Sequence, residues 1–176
     1  MRADKLAARE VERAAWPILA APNRIQMTSE QEGKLPVFKD DQEVYQYIGR
    51  LFQELADDDE LGPRFRKADT IVRYQYSNPD SQITVKMKDG QPGQVDLGSS
   101  ELDPEIVMTM EADTAHKFWL GNVNVTMALA RGQMKAKGPV AKILKLVPLT
   151  KPIFPRYKQM LENEGREDLI KAGEAG

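Results

Sequence analysis

The order of apolar and polar residues predicts a helix followed by four short strands. From Asp40 or Asp41, either of which can cap a helix, apolar residues recur at helical intervals as far as Leu55. The period then changes from 3.6 to two over four segments. These segments are Thr70–Ser77, Ser81–Lys88, Gln94–Leu97 and Glu105–Glu111. Because tight turns join them, we expect an antiparallel meander with one face covered.

Helical spacing returns in the second half of the chain, where glycines mark the helix ends. Asp113 or Thr114 can cap a short helix, and Gly121 suits the left-handed conformation that ends it. Asn122 can cap a second helix from Val123 to Arg131, although the start of this segment also alternates like a strand. The remaining predicted elements are a strand over Gln133–Gly138, a helix over Val140–Val147 that stops at Pro148, and a helix over Arg156–Glu164.

The two ends of the chain differ in pattern from its middle. The N-terminal segment carries a thin apolar stripe that predicts a modest helix, followed by a proline- and glycine-containing stretch with few apolar anchors. We therefore expect three parts. They are an N-terminal helix and linker over residues 1–40, a folded domain over residues 41–164 and a flexible tail over residues 165–176.

The composition removes several classes of chemistry. The absence of cysteine and the single histidine exclude disulfides, thiolate metal sites, a cysteine nucleophile and any site that needs two imidazoles. A net charge of −2 argues against a nucleic-acid partner. No apolar run reaches the roughly 20 residues of a membrane span. Because charged residues also interrupt Met1–Leu19, we expect a cytoplasmic protein without a secretory signal.

Candidate catalytic residues are few beyond His116. Asp113 lies three residues earlier, so an acid–base pair can form on one helical turn, but a helix cap is the better explanation of Asp113. The nucleophile patterns Gly-x-Ser-x-Gly and Ser-x-x-Lys are absent from the chain. The acidic run Asp57–Glu60 lacks the spacing and the glycine of a calcium-binding loop. We therefore expect no enzymatic activity, no metal and no cofactor.

Apolar residues on the later predicted elements are expected to converge into a core or a cavity. Ordinary core packing explains any one of them, but four of the eight methionines lie between residues 108 and 134. Flexible thioether side chains adapt to ligands of varying shape, which favours a ligand-binding cavity. The candidate lining residues are Met108, Met110, Phe118, Trp119, Met127, Leu129, Met134, Ile143 and Leu144.

Charge is segregated along the second half of the chain. Residues 89–115 contain seven acidic and no basic side chains, whereas residues 131–158 contain eight basic and no acidic ones. Such a run can be a solvated face. Basic and apolar residues together also suit an anionic membrane surface or the phosphates of coenzyme A. The candidate headgroup or membrane contacts are Lys135, Lys137, Lys142 and Lys145.

The stretch Asp113–Leu146 carries a recognisable pattern. Phe118 is followed by Gly121, and a Gly-x-Met-x-Ala-x-Gly strand over residues 132–138 leads into a leucine-rich helix. This pattern resembles the sterol carrier protein type 2 domain family, the small non-specific lipid-transfer domains, over about residues 42–160. The resemblance implies an α+β fold in which a five-stranded, mostly antiparallel mixed sheet carries helices on one face, with an apolar tunnel between them. It also implies a lipid ligand and no shared catalytic residue.

Three functions fit these observations. In the first, the protein is a carrier that holds an acyl chain, acyl-CoA, a sterol-like or another apolar molecule in the tunnel, and a mobile C-terminal segment gates its exit. In the second, it is a non-catalytic accessory subunit that docks through Met1–Ala20 onto an enzyme of lipid or hydrophobic-substrate metabolism. In the third, it is an enzyme acting on a bound lipid, but the chain offers no nucleophile. We expect the first, with transient contact to anionic membranes and no nucleic acid.

Overall fold

The computed structural model describes residues 35–175 as a mixed sheet with helices. Its strands are β1 (Thr70–Ser77), β2 (Ser81–Met87), β3 (Gln94–Leu97), β4 (Ile106–Glu111) and β5 (Met134–Lys137). Its α-helices are α1 (Asp41–Val44), α2 (Arg50–Asp57), α3 (Leu61–Arg66), α4 (Ala112–Trp119), α5 (Val125–Ala130), α6 (Val140–Thr150), α7 (Phe154–Asn163) and α8 (Glu167–Glu174). A π-helical turn, Tyr45–Gly49, joins α1 to α2, and a 3₁₀ turn, Lys151–Ile153, joins α6 to α7. The predicted helix over residues 3–20 lies outside the described residues.

The sheet has the strand order β3-β2-β1-β4-β5. Strands β1, β2 and β3 form the expected antiparallel meander, but β4 lies on the other side of β1 and pairs with it in parallel. The expectation of a four-stranded antiparallel meander is therefore wrong. Strand β4 cannot join β3 by a tight turn, because residues 98–105 carry the chain across to the far edge of β1. The five-stranded, mostly antiparallel α+β fold is confirmed.

The two faces of the sheet are covered differently. Alternate residues of β1 face the helices, and Val72 there is fully buried. On the opposite face, the guanidinium of Arg73 donates to the Leu102 carbonyl at 2.7 Å and to the Ser100 carbonyl at 3.3 Å. Its Nε also donates to the Thr84 hydroxyl at 3.2 Å. The crossing segment is thus fastened over the outer face, which leaves the space between sheet and helices as the interior.

The first helix begins where the sequence predicts. Asp40 caps α1, and its Oδ1 accepts a hydrogen bond from the Glu43 amide at 3.0 Å. The folded part starts before this cap, however, because the side chain of Phe38 is fully buried. The Val37 amide also donates to Oδ1 of Asp113 at 2.9 Å. Asp113 therefore lies inside the first turn of α4 and does not cap it, which corrects the prediction for this helix.

The short helix α5 also begins later than predicted. Asn124, and not Asn122, is its cap, and its Oδ1 accepts from the Met127 amide at 3.0 Å. Helix α6 continues through Pro148 to Thr150, although the sequence predicts a stop there. Pro148 lies in the last turn, so the helix loses a single backbone hydrogen bond there and persists.

The C-terminal segment is a packed helix. The expectation of a flexible tail after Glu164 is corrected by α8, where Leu169 and Ile170 are buried. Gly173 lies so close to α4 that a Cβ atom there would collide with the Leu120 side chain. Two buried apolar residues and one close backbone contact therefore hold this helix in place, although half of its residues are charged.

Candidate functional site

An apolar cavity of about 80 Å³ lies between the sheet and the helices. Strand residues form its floor, and side chains from α2, α3, α4 and α6 form its cover. The floor includes Tyr74, Tyr76, Met87, Met108, Met110 and Met134. The cover includes Phe52, Leu55, Phe65, Phe118, Trp119, Ile143 and Leu146. In β1 and β4 the floor residues alternate, because successive side chains of a strand point to opposite faces and every second residue reaches the interior.

Six of the nine predicted lining residues surround this cavity. They are Met108, Met110, Phe118, Trp119, Met134 and Ile143. The prediction for Met127, Leu129 and Leu144 needs correction, because none of the three belongs to the lining. Leu129 packs against the core elsewhere, whereas Met127 and Leu144 are 47% and 40% exposed.

Helix orientation explains these three exceptions. Helix α5 starts at Val125, and the spacing of three then buries Val125 and Ala128 instead of Met127. In α6 the buried positions are Ile143, Leu146 and Thr150, which places Leu144 on the outer side. An error of one residue in placing the buried face of a helix is therefore enough to assign an exposed side chain to the cavity.

Aromatic residues that the sequence analysis did not select form much of the cavity wall. The ring of Phe52 stacks on Tyr74 at a centroid distance of 5.0 Å and meets Trp119 edge-on at 5.3 Å. Trp119 also meets Phe118 at 4.8 Å. Alternation in β1 already put Tyr74 and Tyr76 on one face, so their inclusion could have been predicted from the strand pattern.

The lining carries little charge. Arg66 and Lys86 contribute to it, and Nη1 of Arg66 donates to the Ala56 carbonyl at 3.3 Å. Burial raises the pKa of Tyr74 and of Tyr76 above the ordinary tyrosine range, so both phenols stay neutral at physiological pH. The interior is therefore an apolar space with neutral hydroxyl groups, suited to binding hydrocarbon and unsuited to acid–base chemistry.

His116 is buried and has a structural role. Its Nε2–H donates to the Leu169 carbonyl at 2.8 Å, which leaves Nδ1 to accept from the Tyr157 hydroxyl at 2.8 Å. Burial lowers the pKa of His116, so the imidazole is neutral. The histidine thus joins α4, α7 and α8, with both ring nitrogens occupied and the ring enclosed.

The four predicted headgroup lysines have different environments. Lys135 and Lys137 are exposed on β5, opposite Thr109 and Val107, and therefore lie on the face away from the cavity. Lys145 is exposed on α6. The ammonium of Lys142 instead pairs with the Glu105 carboxylate at 2.9 Å and donates to the Asp69 carbonyl at 3.1 Å.

The pairing of Lys142 changes what the basic run can do. The sequence shows an acid-free segment over residues 131–158, but one of its lysines is neutralised by an acid 37 positions away. This lysine also helps to lower the pKa of Glu105. Lys135, Lys137 and Lys145 remain the candidates for contact with an anionic surface. Within residues 35–175, no helix is long and apolar enough to span a membrane.

A mixed sheet, a helical cover and an apolar cavity between these two layers define an α+β binding domain for an apolar molecule. The chain belongs to the SCP-2 sterol transfer family, whose model matches residues 48–151. This match confirms the resemblance found in the sequence. At the level of the family, the protein is a lipid-binding domain of the sterol-transfer type.

Two solved structures share the fold. Sterol carrier protein 2 from Yarrowia lipolytica, in its apo form, is similar at 20% sequence identity and a TM-score of 0.50, covering 60% of this chain and 88% of that chain. The sterol carrier protein domain 2 of Helicoverpa armigera is similar at 20% identity and a TM-score of 0.53, covering 64% and 88%. None of the curated proteins matches the chain at a significant level.

Proposed function

We propose that the protein is a carrier that holds one apolar molecule, such as an acyl chain, acyl-CoA or a sterol-like lipid, between its sheet and its helices. The observation that carries this proposal is the apolar cavity between the sheet and the helices of a sterol-transfer-family domain. The protein's contribution is solvation: each methylene transferred from water into the cavity contributes about 0.8 kcal/mol. No bond is made or broken.

The size of the cavity sets a condition on this function. Pockets for drug-sized ligands have volumes of roughly 300–1,000 Å³, and the cavity here has about 80 Å³. The lining must therefore expand when a lipid enters. Four methionines of the sheet, Met87, Met108, Met110 and Met134, lie where the ligand would lie. Their unbranched side chains change rotamer at low cost, which suits a cavity that opens around its ligand.

Delivery to a membrane would use exposed basic residues outside the cavity. We propose that Lys135, Lys137 and Lys145 contact anionic headgroups transiently, because all three are exposed on the later part of the domain. Leu144 and Met127 are exposed apolar residues from the same part of the chain. The alternative function, an accessory subunit docking through Met1–Ala20, depends on residues outside those that the structure describes.

The carrier function is tested with the tryptophan of the lining. In a Trp16→Phe background, Trp119 is the single tryptophan, and titration with palmitate or palmitoyl-CoA should change its emission. Met110→Arg places a charge in the cavity and should abolish the change. Met127→Arg is the matched control, since Met127 is exposed and outside the lining, and it should bind like the parent.

Lipid extraction of the purified protein gives an independent measurement. We expect mass spectrometry to identify a co-purifying lipid in the wild type and in Met127→Arg, and none in Met110→Arg. Unaltered Trp119 emission, together with equal lipid content in all three proteins, would show that the cavity does not hold the ligand.

A further inference from the structure

Two tyrosines line the mostly apolar cavity. Tyr74 and Tyr76 lie two positions apart on β1 and therefore share one face of the sheet. Their rings stack at a centroid distance of 6.4 Å with an angle of 12° between the planes. Both belong to the lining, and Tyr76 is only 5% exposed. The strand thus presents a pair of parallel phenols to the space in which a ligand would lie.

These two hydroxyls differ from the other three in the chain. The hydroxyl of Tyr157 bonds to His116, that of Tyr47 accepts from Arg166 at 2.9 Å, and that of Tyr45 accepts from a backbone amide at 3.4 Å. Neither Tyr74 nor Tyr76 has a hydroxyl hydrogen bond to any of residues 35–175, and this includes the charged lining residues Arg66 and Lys86. A buried hydroxyl without a partner is costly, so the arrangement requires an explanation.

The open space beside these oxygens is the cavity itself. Every fully enclosed side-chain nitrogen or oxygen in the described part of the chain has a hydrogen-bond partner. The Tyr74 and Tyr76 oxygens have none, so each must retain some accessible surface. Both residues line the cavity, and Tyr76 is almost completely buried from bulk solvent whereas Tyr74 is half-buried, so the cavity is the open space that the two residues share. A group inside the cavity can therefore reach both hydroxyls.

We propose that Tyr74 and Tyr76 form a polar subsite that hydrogen-bonds a neutral oxygen group on the lipid, such as a hydroxyl, a ketone or an ester carbonyl. This inference rests on the proposed carrier function and narrows its ligand class. An ionised carboxylate would lose its hydration energy on entering the cavity, and hydrogen bonds from two neutral phenols would replace only part of that energy. A pure hydrocarbon would leave both phenols unpaired. The favoured ligand is thus an apolar molecule with one uncharged oxygen group buried in the protein.

A competition between ligands of equal chain length tests this subsite. The protein is incubated at pH 7.5 with an equimolar mixture of hexadecane, 1-hexadecanol and palmitate, freed of excess lipid, and extracted for quantification by gas chromatography. We expect wild type to retain 1-hexadecanol over hexadecane by roughly 5- to 10-fold, from one or two net hydrogen bonds. The ratio is internal to each sample and is unaffected by the amount of folded protein.

Isosteric variants assign the preference to the two hydroxyls. Tyr74→Phe and Tyr76→Phe should each lower the ratio about 3-fold, and the double variant should bring it close to one. Tyr45→Phe, outside the lining, is the matched control and should keep the wild-type ratio.

The outcomes separate this inference from the carrier function. Equal ratios in wild type and in the double variant, with lipid still retained, would overturn the subsite and leave the carrier function standing. A preference for palmitate that survives both substitutions would overturn the neutral ligand class. Wild-type protein that retains none of the three molecules would overturn both proposals.

Discussion

The stability of the folded domain should depend on pH through a single histidine. His116 holds α8 to α4 through its bond to the Leu169 carbonyl, and it meets the rings of Phe38 and Tyr157 at 5.2 and 5.6 Å. Protonation would place a second N–H against the Tyr157 hydroxyl and a charge in a buried site. Replacing His116 by Phe keeps a ring in place and removes both the titration and the two hydrogen bonds.

The direction of the pH effect follows from the lowered pKa. Burial is the main cause of the shift, and Lys117 and Arg166 add to it, while the Leu169 bond and Asp113 oppose it. The unfolded chain, with a pKa near 6.5, therefore binds a proton that the folded chain excludes. Stability is complete above pH 6.5 and falls as the pH drops from there towards the folded-state pKa. One proton limits the slope to about 1.4 kcal/mol per pH unit.

The cost of the substitution at neutral pH comes from the groups left behind. His116→Phe leaves the Tyr157 hydroxyl buried without a partner and removes the hydrogen bond to the Leu169 carbonyl. The unsatisfied hydroxyl costs about 1–3 kcal/mol and the lost hydrogen bond about 1 kcal/mol, so we expect a loss of roughly 2–4 kcal/mol at pH 7.5. This difference should shrink as the pH falls, because only the wild type loses stability by protonation at this site.

Urea unfolding followed by circular dichroism at pH 7.5, 6.5 and 5.5 measures both effects. In this pH range the carboxylates whose pKa is lowered do not affect the result. Asp58, Glu105 and Asp168 lose their contribution to folding stability only below about pH 4.5. We expect a slope in the wild type and a nearly flat profile in His116→Phe. Equal slopes in the two proteins, or wild-type stability that increases as the pH falls, would refute the reasoning.

Three further predictions concern packing, capping and surface charge. Gly173→Ala should cost about 1–3 kcal/mol in thermal unfolding through its collision with Leu120, and an unchanged melting temperature would contradict the close contact. Asp58→Ala removes the acceptor for the first amides of α3 and should cost about 1 kcal/mol of stability. The contribution of Asp58 is present above pH 3.8 and is lost as the pH falls to about 2. Stability equal to wild type at pH 7 would argue against this role. Lys135→Glu with Lys137→Glu should weaken flotation with anionic vesicles at low salt and not with neutral ones, and equal binding to both vesicles would remove the electrostatic contact.

The local parts of the fold could be predicted from the sequence, because local patterns determine them. Alternation places β1 and β2 within one residue of their observed bounds, and Asp40 caps the first helix as predicted. Gly121 and Gly132 adopt φ values of +84° and +72° at the ends of short helices. Each of these features is determined by the conformational preferences of a few neighbouring residues.

The remaining features depend on contacts between distant residues. Nothing in the pattern of β4 indicates that it pairs in parallel with β1, because pairing partners are chosen by the chain path between them. Helix α8 carries two buried apolar residues among charged ones, too few to predict a packed helix. Phe52 enters the cavity wall from a helix whose pattern shows only that one face is buried. The local sequence determines whether a side chain points inward, but it does not determine which residues that side chain contacts.

The parallel pairing of β1 with β4 has a consequence for how the chain folds during its synthesis. Once β3 has left the ribosome, the three-stranded meander can form, but one edge of β1 keeps its backbone groups unpaired until Ile106–Glu111 follows. The helices that cover Tyr74 and Tyr76 include α4 and α6, which emerge later still, at about 5–20 residues per second. For some seconds the nascent chain therefore presents an open strand edge and an uncovered apolar face, the two features that attract chaperones and promote aggregation. Complete folding of the domain must await the C-terminal helices.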